Sequence, residues 1–202
     1  IRGPPRSTRK GSSAASEVYK RQVFNYFTKR VEFIFHPFFL CIIIIYMLIN
    51  INPILSPELL FILRSMGHGD KLILADANFP ADTMNKRVIR LDGVNIPDAA
   101  KAILSIFPLD SFLVSQGKTA VSRMEVDEKP QELLDSHKEF INVVKEVSGS
   151  NWKVGSIERQ SFYEEAKKSY AIVTTTDARP FSCFIMTKGV IKPDGSVWVL
   201  DK

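Results

Sequence analysis

The residues best suited to chemistry lie in the segment Gly67-His68-Gly69-Asp70-Lys71-Leu72-Ile73-Leu74-Ala75-Asp76. Histidine as a residue type titrates near neutrality, so it can both give and accept a proton at working pH. Here it sits between two glycines, which permit positive φ on both sides of it, and an apolar run leads from it to a carboxylate. That pattern predicts His68 and Asp76 near the mouth of a sheet, where α/β proteins build sites. It equally fits a histidine that decorates a glycine turn and an aspartate that caps the next loop. Arg159 and Tyr163 form a second pair, four apart at the start of a helix and so on one face of it. Arginine offers a fixed fork of donors and tyrosine a hydroxyl that donates or accepts. The same spacing suits a surface arginine packed over a half-buried ring. Asp110, after a proline and before an apolar run, reads more simply as a cap than as a catalyst, and Lys167-Lys168 as a solvated helix end.

The elements that must hold these groups follow from the pattern around them. Ser56-Pro57-Glu58 supplies an N-cap hydroxyl, a proline at the first helical position and an acid in the first turn, so a short helix begins there. It stops at Gly67-His68-Gly69-Asp70, and residues 71–75 read as a buried strand. Ile96-Pro97-Asp98 opens a helix through Phe107. Pro108-Leu109-Asp110 then leads into an expected strand of Phe112, Leu113 and Val114. Residues 130–148 carry the clearest amphipathic pattern, with Leu133, Leu134, Phe140, Ile141, Val144 and Val147 at three- and four-residue steps. A third helix is expected over 161–169 and strands over 171–175, 183–187 and 197–200. Strands alternating with helices predict a single layered α/β domain with a mostly parallel sheet flanked by helices.

Composition narrows the function. The 202 residues are 45% hydrophobic, 24% charged and 10% aromatic, the profile of an ordinary globular domain. The net charge of +5 would point to nucleic acid if it were spread over a folded surface. Residues 1–52 hold eight Lys/Arg against two acids, leaving 19 bases against 20 acids in the other 150. The folded part is thus nearly neutral, and no nucleic-acid partner is expected. Two cysteines, Cys41 and Cys183, exclude a disulfide scaffold and a thiolate zinc cluster, and a reducing compartment is the default. His36, His68 and His137 lie too far apart for a paired imidazole metal motif, and no glycine-rich phosphate loop occurs. No metal or nucleotide cofactor is expected.

The first 51 residues differ in character from the rest. Residues 1–22 are rich in Ser, Arg and Lys and read as disordered. Residues 38–49 form an unbroken apolar run behind Lys29 and Arg30. Three readings compete for the run: a membrane anchor, a targeting segment, and a stretch foreign to the mature protein, such as a gene-model error. An anchor obeying the positive-flank rule would export the domain. A cytoplasmic domain at 52–202, preceded by a non-family extension at 1–51, is the favoured reading.

In order along the chain stand LSPELL, MGHGD and LILADANFP, then R-x-DG and IP, then PLD, IER, FYEEAKKSYAIV and CFIMTKGVI. Collinear through at least six blocks, from about residue 52 to 191, the chain resembles the sugar mutarotase family that includes L-fucose mutarotase and the D-ribose pyranase. Ala75 to Pro80 and Ile96-Pro97 resemble the fucose branch.

The resemblance implies a cofactor-free isomerase that interconverts the α and β anomers of a free monosaccharide, with L-fucose expected, by opening and reclosing the ring. It implies His68 as proton donor and Tyr163 as catalytic partner, with Asp76, Asp110 and Arg159 binding the sugar or orienting these groups. It also implies a ring-shaped homo-oligomer with sites at subunit boundaries. The family's substrate loop carries a Tyr-small-Asn triplet where this chain has Phe181-Ser182-Cys183. Two sugar-facing polar groups are thereby lost unless backbone groups or Arg179 replace them, which puts the choice of sugar in question. The alternatives are a non-catalytic sugar-binding relative and a membrane-tethered mutarotase.

Overall fold

The computed structural model describes residues 48–200. The segment 1–22, Cys41 and the apolar run except Leu48 and Ile49 lie outside the described residues, and so do the expectations placed on them. Among the described residues no helix is long and apolar enough to cross a membrane.

Among the described residues the order is α1 (Pro57–Ser65), β1 (Lys71–Ala75), α2 (Ala81–Met84), β2 (Val88–Leu91), α3 (Ile96–Leu104), α4 (Ser111–Ser115), β3 (Val121–Met124), α5 (Asp135–Ser148), β4 (Val154–Ile157), α6 (Arg159–Lys168), β5 (Ala171–Thr175) and β6 (Phe184–Thr187). The six strands form one sheet in the order β2-β5-β1-β6-β3-β4. β5 pairs parallel with β1 and β2, and β3 parallel with β4. β6 runs antiparallel to both β1 and β3. Five strands therefore share one direction and β6 alone opposes them, so the expected mostly parallel sheet holds.

Alternation along the strands divides the core into two layers. Leu72, Leu74, Val173, Phe184 and Met186 face α1, α3 and α5, where Leu59, Ile103 and Phe140 are buried. Phe140 stacks on Phe184 with centroids 3.8 Å apart. Ile73, Ala75, Ile172, Cys183 and Ile185 face the other way, against Phe162 and Ala166 of α6 and Ala81 of α2. At about 25 cal/mol per Å² of apolar area removed from water, these two layers hold the sheet between helices.

Local capping explains where the observed elements depart from expectation. Residues 112–114 are helical, not extended: the Asp110 side chain accepts a hydrogen bond from the Phe112 N–H and starts α4. A three-residue apolar run has no period of its own, so the cap decides. α5 starts at Asp135, five residues after Pro130: the His137 ring reaches back to accept from the N–H of Leu134 at the N-cap position, and Leu133 is exposed. α6 starts at Arg159, two residues early, with the Glu158 carboxylate accepting from the Gln160 and Ser161 N–H groups. α3 ends at Leu104 and β6 begins at Phe184. The expected strand 197–200 is reduced to a single antiparallel bridge between Ile191 and Val197. Unforeseen are α2 and the strands β2, β3 and β4, each strand four residues long and interrupted by Arg, Ser or Gly. Their pairing with neighbouring strands, β2 with β5, β3 with β6 and β4 with β3, rather than their own apolar content, makes them strands.

Candidate active site

β1 separates two groups of polar side chains. His68 precedes its first residue and Asp76 follows its last, so the two lie at opposite ends of the strand rather than at one mouth. At about 3.3 Å per residue, Lys71 and Ala75 alone are some 13 Å apart. The expectation that His68 and Asp76 both stand near one mouth of the sheet is therefore corrected. An eight-residue spacing that contains a whole strand carries its ends apart.

The His68 end is built from a turn and a cap. Only Gly69 of the two flanking glycines is left-handed, at φ 83°. Asp70 closes the turn by accepting from the Gly67 N–H at 2.7 Å. His68 Nε2 lies 3.2 Å from Asp110 Oδ1. A carboxylate only accepts, so Nε2 carries the proton and Nδ1 is left for a ligand. Asp110 is 4% exposed at its side chain and His68 46%, so the carboxylate backs an imidazole that faces solvent. Asp110 is therefore both cap and partner, holding the Phe112 N–H at 2.9 Å with the same oxygen. The Phe112 ring lies against the imidazole at 5.1 Å between centroids. Gly189 makes this arrangement possible: a Cβ there would lie 2.3 Å from the Leu109 carbonyl oxygen and 3.0 Å from Asp110 Cα. Its N–H donates to the Pro108 carbonyl at 2.8 Å, while the Asp110 N–H donates to Thr187 at 3.1 Å. Lys188 anchors the neighbouring helix end, its Nζ donating to the Leu63 and Met66 carbonyls at 2.7 and 2.6 Å. Burial lowers its pKa.

The other end gathers around Tyr163, whose ring meets Phe79, three residues past Asp76, at 5.7 Å between centroids. Arg159 lies over the Tyr163 ring at 5.9 Å and donates from Nε to Asp127 Oδ1 at 2.8 Å. That carboxylate, then the Tyr163 hydroxyl, raises the guanidinium pKa above its ordinary value. Asp76 is buried, with Oδ1 accepting from the Asn78 N–H at 2.9 Å and Oδ2 accepting from the Cys183 thiol at 3.3 Å. Burial, then the Asp76 charge, pushes the Cys183 thiol well up. Cys183 thus stands behind Asp76 as an orienting donor and presents no open polar group.

Phe181 has φ 57°, a left-handed conformation uncommon for a large side chain. His137 holds it there. Its Nδ1 accepts from the Leu134 N–H at 3.3 Å, which fixes the proton on Nε2, and Nε2 donates to the Phe181 carbonyl at 2.9 Å. Burial lowers the His137 pKa, opposed by the hydrogen bond to the Phe181 carbonyl and helped by the Arg123 charge. Arg179 is committed to a fork on Asp177, at 2.9 and 2.7 Å, and to Glu139 at 2.7 Å. It is engaged in the scaffold of this loop.

One end thus holds His68 and Asp110, and the other Asp76, Arg159, Tyr163, Phe181 and Cys183. Asp127, His137, Glu139 and Asp177 were not singled out from sequence. Asp127 follows β3, and recognising that strand would have exposed an acid at a strand's C-terminal end. His137 has no such signal, because a buried histidine inside an amphipathic helix looks like any core position. Among the described residues no group of three or more His, Cys, Asp or Glu is placed to hold a metal ion.

Fold and site together define a helix-covered, mixed-sheet α/β protein whose titratable groups collect at the two ends of one sheet. The model of the RbsD / FucU transport protein family matches residues 49–191, and the chain belongs to that family. It is 40% identical over 153 residues to the fucose mutarotase of Danio rerio, covering 72% of this chain and 95% of the relative. It is 38% identical over 146 residues to an L-fucose mutarotase of Actinobacillus pleuropneumoniae, covering 71% and 97%. The crystal structure of the fucose mutarotase from Streptococcus pneumoniae in complex with L-fucose superposes with a TM-score of 0.65 at 34% identity, over 72% of this chain and all of that one.

Proposed function

We propose that this chain is an isomerase that interconverts the anomers of a free monosaccharide, with L-fucose as its substrate. The relatives' names support the reaction class. The observation that carries the assignment to residues is the open imidazole of His68 braced at 3.2 Å by a buried carboxylate. The domain at 52–202 performs the reaction in the cytoplasm without a cofactor.

Mutarotation needs a proton taken from the anomeric hydroxyl and another delivered to the ring oxygen. The C1–O5 bond then breaks to give the open-chain aldehyde. Rotation about C1–C2 presents the other carbonyl face, O5 attacks it, and both protons return. The imidazole of His68, with Nε2–H held by Asp110, uses Nδ1 as the atom that exchanges protons with the sugar. Tyr163 supplies the second hydroxyl proton, with Arg159 over its ring. Asp76 accepts from sugar hydroxyls at the same end. Each positioned acid or base supplies about 10²–10⁴-fold.

Proton transfer requires heavy atoms within about 2.6–3.2 Å, whereas the length of β1 separates His68 from Tyr163 in one chain. The complete site therefore draws His68 and Asp110 from one copy and Tyr163, Arg159 and Asp76 from a neighbour in a ring-shaped homo-oligomer.

The test is saturation-difference NMR of α/β exchange, with L-fucose, D-ribose and D-galactose, comparing the chain with a His68→Ala variant. The expected outcome is enhanced exchange of L-fucose that the variant loses. A folded protein that binds sugar without speeding exchange refutes the catalytic reading in favour of a non-catalytic sugar-binding relative, for which the apolar Phe181 and the buried Cys183 would then be the reason.

A further inference from the structure

The family match ends at residue 191, yet the chain beyond it returns to the His68 end of the sheet. A tight turn, with the Lys192 N–H donating to the Ser196 carbonyl and Gly195 left-handed at φ 85°, reverses the direction. Ile191 and Val197 then bridge antiparallel, and the Trp198 N–H donates to the Val190 carbonyl at 2.8 Å. The Ser111 hydroxyl, next to Asp110, donates to the Trp198 carbonyl at 2.6 Å. Two backbone bonds therefore fix Trp198 in place whatever its side chain does.

The indole packs edge-on against Phe112 at 5.8 Å between centroids, and Phe112 in turn lies at 5.1 Å from the His68 ring. Trp198 is 42% exposed, and the imidazole is similarly open. A large aromatic surface left half open and continuous with a braced, solvent-facing histidine has the composition of a small-molecule site: an apolar wall with a few fixed polar groups. A pyranose in an acid–base site presents hydroxyls to polar groups and has C–H faces that only an apolar surface can desolvate without loss of hydrogen bonds.

We propose that Trp198, with Phe112, is a substrate-contacting residue: the indole receives the apolar C–H face of the sugar while its anomeric centre meets His68. This rests on the mutarotase reading above and adds a specificity element supplied by the chain's own C-terminal segment. Trp198 takes no part in proton transfer, so it acts on binding in ground and transition states alike.

Trp152 and Trp198 are the only tryptophans, so a Trp152→Phe variant of the full chain reports Trp198 alone by fluorescence. L-fucose is expected to change that emission, with half-saturation at the sugar concentration that half-saturates exchange. Trp198→Ala is expected to raise KM about tenfold and leave kcat within about twofold, since an aromatic contact is worth about 0.5–1.5 kcal/mol and tenfold is about 1.4. Trp198→Phe restores most of the loss, and circular dichroism checks that both variants are folded. An emission unchanged at sugar concentrations that saturate exchange overturns the proposal, and so does an unaltered KM in folded Trp198→Ala. If the wild type exchanges no anomers, the mutarotase reading fails by itself. The emission titration then still decides: a sugar-dependent change upholds Trp198 as a sugar contact and its absence overturns it.

Discussion

The proposed site, divided between two ends of the sheet and completed by a second copy, predicts complementation between inactive variants. His68→Ala removes the group beside Asp110 and leaves the Tyr163 end intact; Tyr163→Phe does the reverse. Neither side chain is buried in the core, and each variant is expected to fold and to be inactive alone. After the two are unfolded together, or co-expressed, in equal amounts, subunits assemble at random. A site is whole only where the His68 half comes from a Tyr163→Phe chain and the Tyr163 half from a His68→Ala neighbour. Each condition holds half the time, so about one quarter of wild-type exchange activity per site returns, whatever the ring size, provided each interface joins the two ends. The assay is the NMR exchange rate with L-fucose, measured on each variant alone and on mixtures of varied ratio, with a maximum expected at equal amounts. If the residues worked within one chain, no mixture would exceed its components. A flat response across ratios, from mixtures shown to contain both variants in one oligomer, would refute the division read from β1.

Further predictions follow from single contacts. His137→Leu removes the partner of the part-buried Phe181 carbonyl and Leu134 N–H, at a cost of about 1 kcal/mol for each hydrogen bond lost, seen in urea unfolding. Because burial lowers the folded-state pKa of His137 from 6.5, the folded state binds fewer protons than the unfolded one at acid pH. Stability is then lost as pH falls below 6.5, by at most about 1.4 kcal/mol per pH unit, and this slope is expected to diminish in the variant. Gly189→Ala drives a Cβ into the Leu109 carbonyl, with an expected loss of about 1–3 kcal/mol and, as Asp110 shifts from His68, a lower kcat. Cys183, buried and with its thiol pKa raised, is expected to resist iodoacetamide in the native protein and to react at the ordinary rate in urea, as mass spectrometry would register.

The sequence by itself determined those elements whose signals are local. Ser56-Pro57 sets the start of α1, Gly69 supplies the left-handed turn, and the apolar runs of β1 and β5 are buried strands whatever surrounds them. It also placed each candidate side chain beside a recognisable element, because caps, glycines and helix starts act over three or four residues. Four-residue strands such as β3 and β4 were not legible, since their extended form comes from pairing with β6 and with each other. Asp110 shows the same limit: Asp110 was legible as a cap, but its pairing with His68, 42 residues away, depends on how Gly189 lets two loops approach. Only the tertiary structure decided that Asp76 and His68 lie at opposite ends of the sheet, that Cys183 faces Asp76 from behind, and that Trp198 returns to Phe112 at the His68 end. The physical reason is the same in each case: hydrogen-bond capping and periodicity are properties of neighbouring residues, whereas which ends of a strand meet which loops is fixed by the packing of layers around it.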